Sequence, residues 1–239
     1  MWNVKSALIS SVFLFSSLLP EQVNAQATDS CHPKPNPEAN QYIVGYGSLM
    51  EKDSRTRTTS KISNVKPVFV SGYERVWGKH GRQTTYLGAI AQPDARFNAV
   101  AYKLNNLQQL EATDSREDGY CRKQVPKKQL EMLAGSLPNN AQFWIYTLKD
   151  GQVNEPNRTH PIVQSYVDIF ISGCLEQQKQ FNLEGFAQTC IETTTGWSPY
   201  WVNDRIYPRR PFIHEPQAKS IDKLLKEQLP RIFEYRAIE

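Results

Sequence analysis

After its first 25 residues the chain has no apolar run approaching the ~20 residues that a membrane-spanning helix needs. No span is expected there. Cysteine is scarce, with four in all and none in a Cys-x-x-Cys spacing; His32, His80, His160 and His214 are scattered and form no His-x-x-x-His pair. Neither pattern points to zinc, and no other metal site is expected. A surplus of one charge sign is also missing: 28 Lys and Arg stand against 24 Asp and Glu, a net charge of +4. So mild a balance argues against a nucleic-acid partner and against strong attraction to a membrane surface. The Gly-x-Ser-x-Gly elbow of many serine hydrolases is absent as well.

What is present begins with a segment that reads as a leader. Lys5 supplies a short basic region, residues 7–19 are apolar and serine-containing, and Val23-Asn24-Ala25 has the small-residue form of a signal-peptidase site. Residues 1–25 are therefore expected to be a signal peptide, and the protein to be exported to a periplasm or secreted. Cleavage would leave 239 − 25 = 214 residues, enough for one sizeable core and crowded for two. Four cysteines in an exported chain are compatible with disulfides, in any of three pairings. Cys174–Cys190 is favoured because it would staple two adjacent helices. Cys31–Cys121 would then tie the N-terminal arm beside the site proposed below; ordinary buried thiols are the alternative.

Two stretches carry the chemistry. The first is Tyr42-Ile43-Val44-Gly45-Tyr46-Gly47-Ser48-Leu49-Met50, a β-branched run with aromatic ends that stops at a glycine turn. Glycines let successive N–H groups converge, and such a nest of amides binds anions, for example a carboxylate. The second is Asp114-Ser115-Arg116-Glu117-Asp118-Gly119-Tyr120. Together they resemble the signature of the γ-glutamylcyclotransferase superfamily: a Tyr-Gly-Ser-Leu loop, then a carboxylate just ahead of a Gly-Tyr strand. The form looks closest to the ChaC-like, glutathione-degrading branch, although Asp118 stands where that branch often has the first of two glycines. The resemblance covers residues 41–183.

It implies an α+β fold, a small, mostly antiparallel β-barrel with packed helices. It also implies an enzyme without a cofactor that releases 5-oxoproline from small γ-glutamyl peptides, glutathione first, or from γ-glutamyl amines. Glu117 falls where the family has its catalytic acid/base. Tyr46, Gly47, Ser48, Leu49 and Tyr120 would hold the substrate, with the 47–49 amides on its carboxylate or oxyanion and the tyrosine hydroxyls orienting the glutamyl group. Two rival readings stay open: a non-catalytic protein that keeps a γ-glutamyl pocket, and an acyltransferase or amidohydrolase acting on another γ-glutamyl compound.

The remaining pattern sets the elements. Residues 26–40 are rich in Pro, Asn and Asp and should form an extended arm. Short strands are expected at 68–70, 86–91 and 98–103, punctuated by Gly88 and Pro93, with further strands at 120–125 and 142–148. Their spacing suits a mixed or closed sheet rather than a doubly wound one. Helices are expected at 104–114, 161–180 with Pro161 in the first turn, 183–191 and 218–234. Residues 41–195 then make the domain, and 196–239 an extension packed on it. Within the extension, residues 197–211 are rich in aromatics and arginine. They suit either a segment pinned to the domain with its arginines paired to acids, or a rim that takes a second substrate carboxylate.

Overall fold

The computed structural model describes residue 2 and residues 31–59, 61–211 and 217–239. The expected signal peptide lies outside the described residues, Trp2 apart. Ten strands are described: β1 (Asn40–Gly45), β2 (Ser63–Gly81), β3 (Thr84–Lys103), β4 (Tyr120–Val125), β5 (Leu130–Met132), β6 (Ala141–Leu148), β7 (Ile162–Val163), β8 (Thr194–Thr195), β9 (Trp201–Asn203) and β10 (Ala237–Ile238). The helices are α1 (Lys52–Thr56), α2 (Leu107–Arg116), α3 (Gln164–Phe181), α4 (Phe186–Glu192), α5 (Ala218–Gln228) and α6 (Pro230–Glu234).

The main sheet runs β4-β6-β1-β3-β2-β5, with β8 alongside β2. Its pairs are antiparallel except β1 with β6 and β2 with β8. This is the expected α+β class with mostly antiparallel strands and packed helices. The sheet curls into a half-barrel, with β4 and β5 as its two ends. Central β1 is buried over Ile43, Val44 and Gly45 because both sheet faces are covered there, as a continuous apolar run demands. A second, parallel sheet runs β10-β9-β7. No helix among the described residues is long and apolar enough to cross a membrane.

Three sequence expectations need correction. The short strands between 68 and 103 are two long ones, 19 and 20 residues, folded as one hairpin. Pro93 does not end β3, because the register with β2 steps from Ser71↔Arg96 to Tyr73↔Ala91 and leaves 92–95 unpaired with it. A residue without an N–H is tolerated at such a bulge. Pro161 is not in a helical first turn; it precedes β7, and α3 starts at Gln164. The helix expected at 218–234 is divided at Leu229 into α5 and α6, since Pro230 cannot supply the N–H that would continue α5.

Helix α3 crosses directly behind the glycine turn. A Cβ on Gly173 would lie 2.4 Å from both Glu51 N and Met50 C, so glycine there permits contact between the helix and the turn's backbone. Arg75 is fully buried with no carboxylate partner among the described residues, and burial lowers its pKa to about 9. Its guanidinium donates to Asn98 O, Asn98 Oδ1, Cys190 O, Thr193 Oγ1 and Thr194 Oγ1, and lies over the Phe97 and Phe170 rings. These bonds tie the β2–β3 hairpin to the end of α4.

Both favoured disulfides are formed, Cys31–Cys121 and Cys174–Cys190. The second joins α3 to α4, two helices in a buried cluster. It spans 16 residues, a loop for which chain entropy predicts about 3 kcal/mol of stabilisation. The double variant Cys174→Ala/Cys190→Ala should lose about that amount in urea denaturation. An unchanged midpoint would show that the helices need no staple.

Candidate active site

The site is built from two turns and two long strands. β1 ends at Gly45, and the chain passes Tyr46 and Gly47 into a 3-10 turn at Ser48–Met50, closed by Met50 N–H to Gly47 O at 3.0 Å. A Cβ on Gly47 would stand 2.7 Å from the Tyr166 hydroxyl, so this glycine lets the turn and α3 share one wall. The second turn ends α2. Glu117 is its C-terminal cap, giving its N–H to Thr113 O (2.9 Å) and accepting from Tyr120 N–H (3.1 Å). Gly119, at φ +85°, reverses the chain into β4. Holding Glu117 by both backbone groups fixes where its carboxylate emerges.

That carboxylate is 17% exposed and pairs with Arg116, Nε to Oε1 at 3.1 Å. Burial raises its pKa above the ordinary carboxylate range, against the opposing pull of Arg116 and Arg210. Neighbouring Asp118 is exposed and is not the cause of the rise. Arg116 is held by four further bonds, to Ser54 O (2.6 Å), Ser54 Oγ (3.0 Å), Thr58 Oγ1 (3.3 Å) and Ser48 Oγ (3.2 Å). Through Ser48 it links the two turns.

Glu117 borders two neighbouring spaces. An inner recess of about 30 Å3 is walled by Tyr46, Gly47, Ser48, Leu49, Tyr120 and Tyr166, among others. An outer cavity of about 620 Å3 shares Ser48, Glu117, Tyr120 and Tyr166 with it. The structure thus brings together all six sequence-derived site residues. Their hydroxyls are less free than expected. Tyr46 donates to Tyr146 O (2.5 Å) and Tyr120 to Leu87 O (2.8 Å), so neither hydroxyl has a proton left for a ligand, and the Tyr46 oxygen also takes a hydrogen bond from the Ala89 backbone. The Tyr166 phenol is pushed up to about 12 by burial and the Glu117 charge, against Arg210 and a hydrogen bond from the Ser48 backbone. The Ser48 amide is therefore already engaged by Tyr166.

Sequence reasoning missed several wall residues. Tyr166 reads as part of the apolar face of α3, and nothing local separates it from a core tyrosine. Lys79 and Tyr86 sit on the long hairpin, and Arg210 comes from the C-terminal segment. The concentration of arginine and aromatics in 197–211 is the one signal that marked that segment.

No family model matches the chain, and no curated protein matches it. Among solved structures, a human protein described as uncharacterized matches at 14% identity, covering 79% of this chain and 99% of its own, with a TM-score of 0.50. That likeness shows a shared fold. A structure of a γ-glutamyl cyclotransferase matches at 14% identity over the same shares, with a TM-score of 0.48. A glutathione-specific γ-glutamyl cyclotransferase from yeast matches at 11% identity over 80% of this chain and 97% of its own, with a TM-score of 0.40.

Proposed function

We propose that the protein is an enzyme that cyclises γ-glutamyl groups to 5-oxoproline and releases the attached amine. The observation that carries this reading is the Glu117 carboxyl, mostly buried yet bordering both spaces, with its pKa raised by burial. A base poised nearer neutrality than an ordinary carboxylate is suited to taking and returning a proton at working pH. The substrate carries its own nucleophile. Its α-amine attacks the γ-carbonyl, the new C–N bond closes a five-membered lactam, and the bond to the leaving amine breaks. The α-ammonium gives up two protons in turn, and both end on the leaving amine; Glu117 carries each across. Folding the glutamyl chain into this geometry beside Glu117 supplies much of the rate.

The acceptor oxygen of Tyr120 would receive an α-ammonium N–H group, and the Ser48 hydroxyl proton would be given to the substrate carboxylate. The test is to incubate the purified protein with glutathione, γ-glutamyl dipeptides and γ-glutamyl-lysine and to measure 5-oxoproline. Release from none of them would sink the reading; saturable binding without release would mark a binding protein instead.

Gly47→Ala should displace the Tyr166 hydroxyl, because the new Cβ has 2.7 Å of room there. Misplacement of about 1 Å costs up to about 100-fold in rate, so kcat/KM per folded molecule should fall roughly 10- to 100-fold. Ser48→Ala removes one hydroxyl and leaves the backbone, and its loss should be smaller. Normal activity per folded molecule in a destabilised Gly47→Ala protein would mean that the glycine serves only folding.

A further inference from the structure

The outer cavity is larger than the recess and differs from it in charge. Its charged lining residues are Lys79, Arg82, Arg116, Arg210, Glu117 and Asp118. Arg116 pairs directly with Glu117, which Arg210 also attracts from farther off, and three cations stand in the cavity wall outside that pair, against Asp118. Among the described residues, no ion pair or side-chain hydrogen bond engages Lys79, Arg82 or Arg210. Lys79 lies 5.9 Å over the Tyr120 ring, and Arg210 lies 5.3 Å over the Tyr86 ring. Rings beneath such cations hold them without neutralising them.

Arg210 is delivered by a buried knot. Asp204, fully buried, accepts from Ser165 N–H, Ser165 Oγ and Arg209 N–H, each at 2.7 Å. Ser165 Oγ in turn accepts from Arg210 N–H at 3.1 Å. The backbone at 209–210 is thereby bolted to the start of α3, one residue before the site wall at Tyr166. Arg209 points elsewhere, donating to Gln83 O at 2.9 Å, and so clasps the hairpin tip that carries Arg82. A buried acid spent on aiming one arginine into a cavity, with two other cations there, describes a receptor for an anion outside the recess.

We infer that Arg210, with Lys79 and Arg82, is a specificity subsite for a carboxylate on the leaving amine. The substrate would then be a γ-glutamyl amino acid or peptide with a free carboxylate, in preference to a γ-glutamyl derivative of a neutral or cationic amine. This rests on the γ-glutamyl reading above. Charge-assisted bonds from a guanidinium fork to a carboxylate are among the stronger polar contacts, and an amide cannot replace the charge.

The test compares γ-glutamyl-alanine with its C-terminal amide, by calorimetry on Glu117→Gln protein and by 5-oxoproline release on protein with Glu117 intact. Each is done with Arg210 and with Arg210→Met, which keeps the backbone N–H of the knot. With Arg210, the carboxylate compound should bind at least about 10-fold tighter than the amide, and the gap should close to within about threefold in Arg210→Met. Arg210→Lys should restore part of it. Equal binding of the two compounds, or a gap that survives Arg210→Met in folded protein, overturns the subsite and leaves the γ-glutamyl reading standing. If neither compound binds and none releases 5-oxoproline, both fall.

Discussion

Glu117→Gln should lower kcat/KM for 5-oxoproline release by about 10²- to 10⁴-fold, the usual range for loss of a general acid/base, while the protein stays folded. The side chains are nearly the same size, so the recess keeps its shape. Arg116 loses its ion partner but retains its bonds to Ser48, Ser54 and Thr58. The pH profile supplies an independent check. A base must be ionised to work, so the wild-type rate should climb as pH rises through the Glu117 pKa, which burial holds above the ordinary carboxylate value. The Gln variant should lack that acid limb. Turnover within about threefold of wild type would remove Glu117 from the mechanism.

A large effect on stability is expected at Arg205. Its guanidinium donates twice to Asp168 on α3, both at 2.7 Å, and twice to Asp222 on α5, at 2.8 and 2.9 Å. Asp168 is fully buried, and burial raises its pKa even beside this arginine. Arg205→Met strips the countercharge from a buried carboxylate, a change that typically costs about 3–5 kcal/mol. A carboxyl whose folded pKa is raised favours the folded state below its unfolded pKa and loses that advantage as pH rises through the folded value. The variant should therefore be weakest near neutrality and recover toward the ordinary Asp pKa. Adding Asp168→Asn to Arg205→Met removes the orphaned charge and should restore much of the loss. Urea denaturation across pH measures all three proteins. Equal stability of wild type and Arg205→Met at pH 7 would show that the C-terminal helices hold without this bridge. The same bridge bears on the site, since Arg205 adjoins Asp204 and the knot that aims Arg210.

The glycine turn, the carboxylate turn and most helix and strand positions are legible in the sequence, because each depends on residues within a few positions. An apolar β-branched run extends, glycine admits a reversal, and Asn106 caps α2 by accepting from Gln109 N–H. The cysteine pairing could be favoured because Cys174 and Cys190 sit on neighbouring helical patterns. The long hairpin was not legible: Gly88 and Pro93 look like strand ends, and only the presence of β2 shows that β3 pairs on either side of the stretch containing Pro93. The lining of the site was less legible still. Tyr166 has the spacing of a core residue until Gly173 lets α3 press against the glycine turn and carries its hydroxyl to Gly47. Arg210 becomes a wall residue only when Asp204 is buried against Ser165. Local backbone preferences are set by near neighbours and survive in any context, whereas the direction of a charged side chain depends on which distant segment satisfies the backbone beneath it, and that is decided only when the chain has closed on itself.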